Sequence, residues 1–546
     1  MSKIFSIIFV AVIISGSLLG GLFGRSPLTA LAEPTTPVEK IRSDFSEALR
    51  VVNDNYVSPV DYEKVSEDSI QGMLWTLDPH SSYFTRTEFQ KLQEDQSSRF
   101  YGIGVSILQH RDGVYVQAIV KGTPAEKAGV RYGDRFLEVD GKDAREWTSQ
   151  EVSKNVRGAR GTPVKVKVER PGADKPVDFE IVRDAVPYPS IRNTFMLQNG
   201  VGYVGLTGGF QETTDDELSA AIDDLKERGM KQLVLDLRNN PGGLLPQSID
   251  VVSHFIQSGQ TVVSVRGRSK FARTEDYKST GGNVQDFPLV VVVNNYSASA
   301  SEIVAGALQD YGRALIVGER TFGKGLVQRV FTLPYQTGLT LTTARYYTPY
   351  GRSLQRDYST GSIYDYYTQG HQAGVPATPT PTPQGAPVTT AGGRVFYGGG
   401  GIEPDVKVAG QQFSQLRARI AEAAFYFTRQ LAAGKIAGLE NYRVGKTQFN
   451  HELRPTDFPI TDQVFAAFRD FVGKDAKLGL AAENLSGEVD FTKNRLREEI
   501  ITAAYGSETG QQVLLEIDPQ LQKAVEVLPE SKKLVETVKN GIKIIS

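Results

Sequence analysis

Leu289-Val290-Val291-Val292-Val293-Asn294-Asn295-Tyr296-Ser297-Ala298-Ser299-Ala300-Ser301-Glu302 is the stretch on which the reading of this chain turns. A short aliphatic run closed by Asn-Asn predicts a buried strand. Small residues then allow a sharp turn into the amphipathic segment Ile303–Leu308, with Ser299-x-x-Glu302 as a capping box. A serine at such a turn supports two readings, a helix cap or a nucleophile whose oxyanion the helix N-terminal N–H groups receive. The rest of the chain decides between them.

Around this stretch the pattern is α/β. Val201–Leu206, Leu233–Leu237, Val262–Val265 and Ala314–Val317 read as strands, and Thr213–Arg228 and Leu244–Ile256 as helices. That alternation predicts a mostly parallel sheet covered by helices. Upstream, Phe100–Arg183 is dense in short strands and hairpin turns, such as Val105–Gln109 and Val114–Ile119 around Arg111-Asp112-Gly113. Residues 38–96 read as a helical region through Phe45, Leu49, Val52 and Ile70, Met73, Leu74, Leu77. Within it, His80 in the turn Leu77–Tyr83 is read as capping local backbone in preference to acting as a base. The stretch 357–400 is rich in Tyr, Gly, Thr and Pro without apolar periodicity and reads as a flexible insertion. Helical spacing returns from Phe413.

Composition bounds the function. Among 546 residues the net charge is −2, which leaves no basic footprint for nucleic acid. With no cysteine there is neither a disulfide framework nor a thiol nucleophile. No metal-ligand motif occurs, and no metal or other cofactor is expected. Ile4–Gly24 is an uncharged, mostly apolar run, long enough to span a membrane. Ala30-Leu31-Ala32 before Glu33 also fits a signal-peptide cleavage site. Signal peptide and membrane anchor both stand, and both carry the rest of the chain across the membrane.

Candidate partners for Ser299 are few. No Gly-x-Ser-x-Gly motif occurs, and none of the 5 histidines stands in a triad context. Lys324, in Thr321-Phe322-Gly323-Lys324-Gly325, is the best base. The loop imitates a phosphate-binding motif, but Gly325 stands where Ser or Thr is needed and the chain continues as a strand, which excludes nucleotide binding. Apolar burial lowers a lysine pKa toward the range of a general base. Gln328, four residues on, is placed to orient it.

Ser297–Glu302, Ala305–Asp310, Thr321–Gly325 with Gln328, Leu77–Ser81 and Asp236–Gly243 together resemble the signature blocks of the C-terminal processing peptidases, the tail-specific proteases. Phe100–Arg183 resembles a PDZ domain, with Tyr101-Gly102-Ile103-Gly104-Val105 at its carboxylate-binding loop. The resemblance implies a multidomain α/β protein with a ClpP/crotonase-like core, an upstream PDZ domain and helical regions at both ends. Expected divisions are 1–32 signal or anchor, 38–96 helical, 97–185 PDZ, 186–356 with 401–408 peptidase core, 357–400 insertion and 409–546 helical. It further implies Ser299 as nucleophile, Lys324 as general base, Gln328 as its orienting residue, and an oxyanion hole from the N–H groups of Ala300 and of Gly242 or Gly243, with Gly243 preferred. The expected activity is an exported serine endopeptidase acting near substrate C-termini, its PDZ domain capturing apolar tails and gating the cleft. An adaptor or a second copy of the chain stand as further partners, and the membrane as a contact of an uncleaved N-terminus. Two rival readings are a PDZ scaffold with an inactive core and an acyl-CoA-type enzyme. The scaffold need not keep Ser299, Lys324 and Gln328 together, and nothing in the sequence offers a cofactor pocket for the second.

Overall fold

The computed structural model describes residues 36–96, 98–268, 274–359, 366–367 and 385–541. The chain forms two compact units, 1–73 and 74–546. The apolar run Ile4–Gly24 and most of the insertion lie outside the described residues. No helix among the described residues is long and apolar enough to cross a membrane.

In the first unit, the helix Pro37–Asn55 opens with a capping box between Thr36 and Glu39. Its apolar residues Val38, Ile41 and Phe45 stay exposed.

The second unit is built on a six-stranded sheet ordered Ile191–Met196, Val201–Leu206, Gln232–Asp236, Leu289–Val293, Leu315–Gly318, Val406–Lys407. The first pair is antiparallel and the remaining pairs are parallel. Val201–Leu206 and Leu289–Val293 are buried throughout, as strands covered on both faces must be. Strand alternation divides the aliphatic run between two cores. Leu289, Val291 and Val293 meet the helices Thr214–Glu227, Leu245–Ser253 and Ala300–Asp310 on one face. Val290 and Val292 meet Leu521, Ala524, Val527 and Leu528 on the other.

That second face corrects the expected division at 409. Helices Pro519–Glu526 and Leu528–Lys539 belong to the peptidase core, because without them the sheet would leave an apolar face in water. Ser531 Oγ donates to the Leu289 carbonyl at 2.6 Å, and Arg238 pairs with Asp518 at 2.6 Å.

A second sheet joins Ser82–Phe84, Gly338–Tyr347, Thr261–Gly267 and Glu275–Lys278, with Leu326–Thr332 also paired to Gly338–Tyr347. It carries the turn at 77–81 and the strand bearing Gln328 to the same place.

The PDZ-like region has a sheet ordered Val105–His110, Gly113–Ile119, Arg135–Val139, Pro163–Glu169, Val177–Val182. Val105–His110 is an edge strand flanked by the helix Ser149–Val156. Its far side is seated on the helical region: Tyr115 and Tyr132 pack into the cluster of Phe425, Phe427 and Leu496. Arg429 Nε donates to the Gly133 carbonyl at 2.6 Å, and Tyr132 donates to Glu499 at 2.6 Å.

The reading of 357–400 as a flexible insertion also needs correction where the chain is described. Pro387–Thr389 and Val395–Tyr397 form a hairpin, Arg394 pairs with Asp405 at 2.9 Å, and Tyr366 is buried. Single aromatics that each find a pocket leave no periodic signal.

Candidate active site

Ser299 sits where the Leu289–Val293 strand turns into the helix Ala300–Asp310, with φ 56° and ψ −113°. A non-glycine residue in that region stores on the order of 1–3 kcal/mol of strain, which surrounding contacts must hold in place. Glu302 supplies much of that hold. Its Oε2 accepts the Ser299 N–H at 2.9 Å, and the Glu302 N–H donates to the Ser299 carbonyl at 2.9 Å. The Ser299 side chain makes no cap hydrogen bond, so the hydroxyl is not consumed by the helix end.

Glu302 is more than half of a capping box. The same Oε2 accepts the Lys324 N–H at 2.8 Å, while Oε1 accepts Gly323 N–H at 2.8 Å and Thr321 Oγ1 at 2.6 Å. One fully buried carboxylate therefore ties the serine turn to the lysine loop. Burial raises its pKa, opposed by hydrogen bonds from Thr321, Lys324, Ser299 and Gly323. Four donors and no acceptor around it match an ionised group. Its sequence signal as a cap was legible; its reach to Thr321–Lys324 was not.

Lys324 Nζ donates to Gln328 Oε1 at 2.8 Å, and Gln328 Nε2 donates to the His80 carbonyl. Burial pushes the Lys324 pKa down, while the Glu302 and Asp78 carboxylates pull it up. No hydrogen bond joins Ser299 and Lys324 among the described residues. Buried Tyr346 faces Ser299 and Glu302, and burial holds its pKa well above the ordinary phenol value.

The Gly242–Gly243 turn packs directly on this centre. A Cβ at Gly242 would lie 2.7 Å from Ser299 Cβ and 2.9 Å from Ala300 N, and its φ is +98°. Its N–H already donates to Asn240 Oδ1 at 2.9 Å. Neither the Gly243 N–H nor the Ala300 N–H has a hydrogen-bond partner among the described residues. Between the two glycines, that leaves Gly243 with the donor to spare.

His80, read from the sequence as a turn residue, is buried beside the lysine. Asp78 accepts the N–H groups of His80 and Ser81 at 2.8 Å each, so Asp78 caps this turn, and the reading of His80 as the residue capping local backbone is corrected: its Nε2 lies 2.7 Å from the Tyr366 hydroxyl. The ring faces Phe322, Tyr366 and Tyr367. Burial, then the nearby Lys324 charge, lowers its pKa to about 3. Asp78 and Thr321 fall inside blocks that the sequence singles out, though nothing there marks their roles; Tyr346, Arg356 and the two tyrosines carry no local pattern that marks them.

In the PDZ-like region, Tyr101 and Gly102 lie at the end of the short strand Arg99–Gly102, and Ile103 is buried in the domain core. Gly104 has φ +86°, and a Cβ there would strike Thr123. Val105 opens the edge strand.

Comparison with known proteins gives the family. Residues 200–366 match the model of peptidase family S41, and residues 102–181 match a PDZ domain. The chain is 39% identical to the carboxy-terminal-processing protease of Bartonella bacilliformis over 346 residues, covering 62% of this chain and 79% of that one. It is 32% identical to the carboxy-terminal processing protease CtpA of Bacillus subtilis over 355 residues, covering 65% and 75%. Among solved structures, a photosystem II D1 C-terminal processing protease shares 28% identity, covering 67% of this chain and 92% of its own, at a TM-score of 0.35. With the PDZ match upstream of the peptidase match and these relatives, the chain is a serine-type peptidase and belongs to the carboxy-terminal processing proteases of family S41.

Proposed function

We propose that the protein is an exported endopeptidase that cleaves protein substrates near their C-termini through a Ser299–Lys324 acyl-enzyme. The observation that carries this reading is Lys324 itself: buried, held at Nζ by Gln328, and anchored through Glu302 to the strained turn of Ser299. A neutral amine that donates to Gln328 keeps its lone pair free for a proton. Lys324 swings onto Ser299 Oγ as substrate enters, since catalytic hydrogen bonds commonly tighten only in the complex. The serine oxygen attacks the peptide carbonyl carbon while its proton passes to Lys324. The N–H groups of Ala300 and Gly243 receive the oxyanion, a contribution of about 3 kcal/mol per donor. The C–N bond then breaks, Lys324 returns the proton to the leaving amine, and water hydrolyses the ester.

The edge strand Val105–His110 supports tail binding: a peptide adds beside it, with its carboxylate on the 101–105 loop. Through that contact the PDZ domain gates the cleft. The apolar run Ile4–Gly24 supports an extracytoplasmic location, periplasmic or in the cell envelope, secreted or anchored.

The test uses a reporter protein ending in an apolar tail. Wild type is expected to shorten it near its C-terminus, with Ser299→Ala and Lys324→Ala inactive and still binding the tail. Equal cleavage by wild type and Ser299→Ala would refute the assignment. Activity of a phosphatase fused after residue 40 tests export.

A further inference from the structure

Two tyrosines of the insertion pack on His80, the residue whose carbonyl holds Gln328. Tyr366 is 8% exposed, and its ring meets His80 at 5.3 Å and Phe322 at 5.8 Å, both edge-on. The Arg356 guanidinium lies between Phe322, at 3.7 Å, and Tyr366, at 4.2 Å. Such contacts gain strength when desolvated.

The hydroxyl groups bear on the state of His80. Tyr366 Oη accepts from Gln355 Nε2 at 3.1 Å and lies 2.7 Å from His80 Nε2, where its own proton is free to be donated. Tyr367 Oη donates to the Pro79 carbonyl at 2.5 Å and lies 3.4 Å from His80 Nδ1, where it can only accept. Both contacts fit a neutral imidazole with its proton on Nδ1, a tautomer assigned from the network.

These bonds lead to the base. The carbonyl of the same His80 holds Gln328, and Gln328 holds Lys324 Nζ. Along the backbone, Arg356 N–H donates to the Gly323 carbonyl at 3.0 Å and Gln355 Oε1 accepts the Gly325 N–H at 2.9 Å. Both neighbours of Lys324 are thus fastened to residues that touch Tyr366.

We propose that Tyr366 and Tyr367 are positioning residues for Lys324: they hold His80, and through its carbonyl Gln328, in one orientation and shut water from the lysine pocket. This rests on the Ser299–Lys324 reading above. Glu302 and Asp78 favour the charged amine, and His80, Arg356, Tyr366 and Tyr367 complete the polar groups at this side of the pocket. Water admitted there would stabilise the ammonium, so the acid limb of the rate profile would move to higher pH.

The test is kcat/KM against pH for the full chain, with a reporter protein ending in an apolar tail. Tyr366→Ala is expected to lower kcat on the order of tenfold, part of the roughly 100-fold or more that a positioned base supplies. Its acid limb moves to higher pH while KM stays nearly constant. Tyr366→Phe keeps the ring and loses the His80 bond, so it lowers kcat with a smaller displacement of the limb. A folded Tyr366→Ala enzyme whose limb does not move, whatever its kcat, overturns the proposal. Should Tyr366→Ala fail to fold, the double variant Tyr366→Phe, Tyr367→Phe decides, and wild-type kcat and limb there overturn it equally. Lys324→Ala separates the two levels: full activity in that variant sinks the Ser299–Lys324 reading itself. An inactive Lys324→Ala beside unaltered tyrosine variants sinks only this inference.

Discussion

Replacing Glu302 by Gln tests the central joint of the site. The carboxylate offers two acceptor oxygens to four donors; the amide offers one oxygen and an NH2 group. If the NH2 faced Ser299 and Lys324, two fixed backbone N–H groups would lose their acceptor and meet further donors. Facing Thr321 and Gly323 it meets one backbone N–H and one hydroxyl that can rotate, so this orientation wins. Hydrogen bonds to a charged group contribute about 1.5–3 kcal/mol each. One of the four is lost outright and the rest lose charge assistance, so the expected destabilisation is roughly 2–4 kcal/mol. Catalysis responds separately. Glu302 favours the charged form of Lys324, so its neutralisation lowers the Lys324 pKa further. The acid limb of kcat/KM then moves to lower pH, opposite to the Tyr366 variants, while the plateau falls as the serine turn relaxes. Denaturant unfolding measures the first effect and the pH profile the second. An acid limb displaced upward, or unchanged stability, would refute the account of Glu302.

Further outcomes are expected. Gly242→Ala introduces a Cβ 2.7 Å from Ser299 Cβ at φ +98°; turnover should fall by at least tenfold even at temperatures where the fold persists, measured as kcat on the same reporter. His110 stacks on Phe425 at 4.2 Å where the PDZ-like region meets the helices, and burial lowers its pKa to about 4 from 6.5. The unfolded chain therefore binds the extra proton, and stability contributed by neutral His110 is lost as pH falls from about 6.5 toward 4. His110→Phe should flatten that part of the stability profile, by at most about 3 kcal/mol relative to wild type because Glu422 lies 3.9 Å away to receive the charge. Tyr132→Phe removes the 2.6 Å bond to buried Glu499 and should cost about 1.5–3 kcal/mol in thermal or denaturant unfolding.

Much of this protein was legible one segment at a time. The aliphatic run at 289–293, the glycine pair at 242–243 and the lysine between glycines at 323–325 each impose local geometry that any fold must respect. Strand ends fell within a residue or two of their expected places because apolar runs stop where side chains leave the core. Ser299 and Lys324, suspected separately, are joined by Glu302, whose partners lie about twenty positions along the chain. Local spacing carries no information about such a contact. Tyr366 shows the same limit more sharply, since a polar, proline-rich neighbourhood conceals a residue that is buried against His80.

Sequence alone determined the kinds of element, their order, and which residue types were available for acyl transfer in a chain without cysteine. Tertiary structure decided what those elements serve: that the last two helices close the second face of the peptidase sheet, that the PDZ-like region is seated on the C-terminal helices, and that Lys324 is buried enough for its pKa to fall. The physical reason is common to all three. Periodicity reports whether a residue faces an apolar layer, but only packing brings that layer's other side, and the charges within it, from distant parts of the chain.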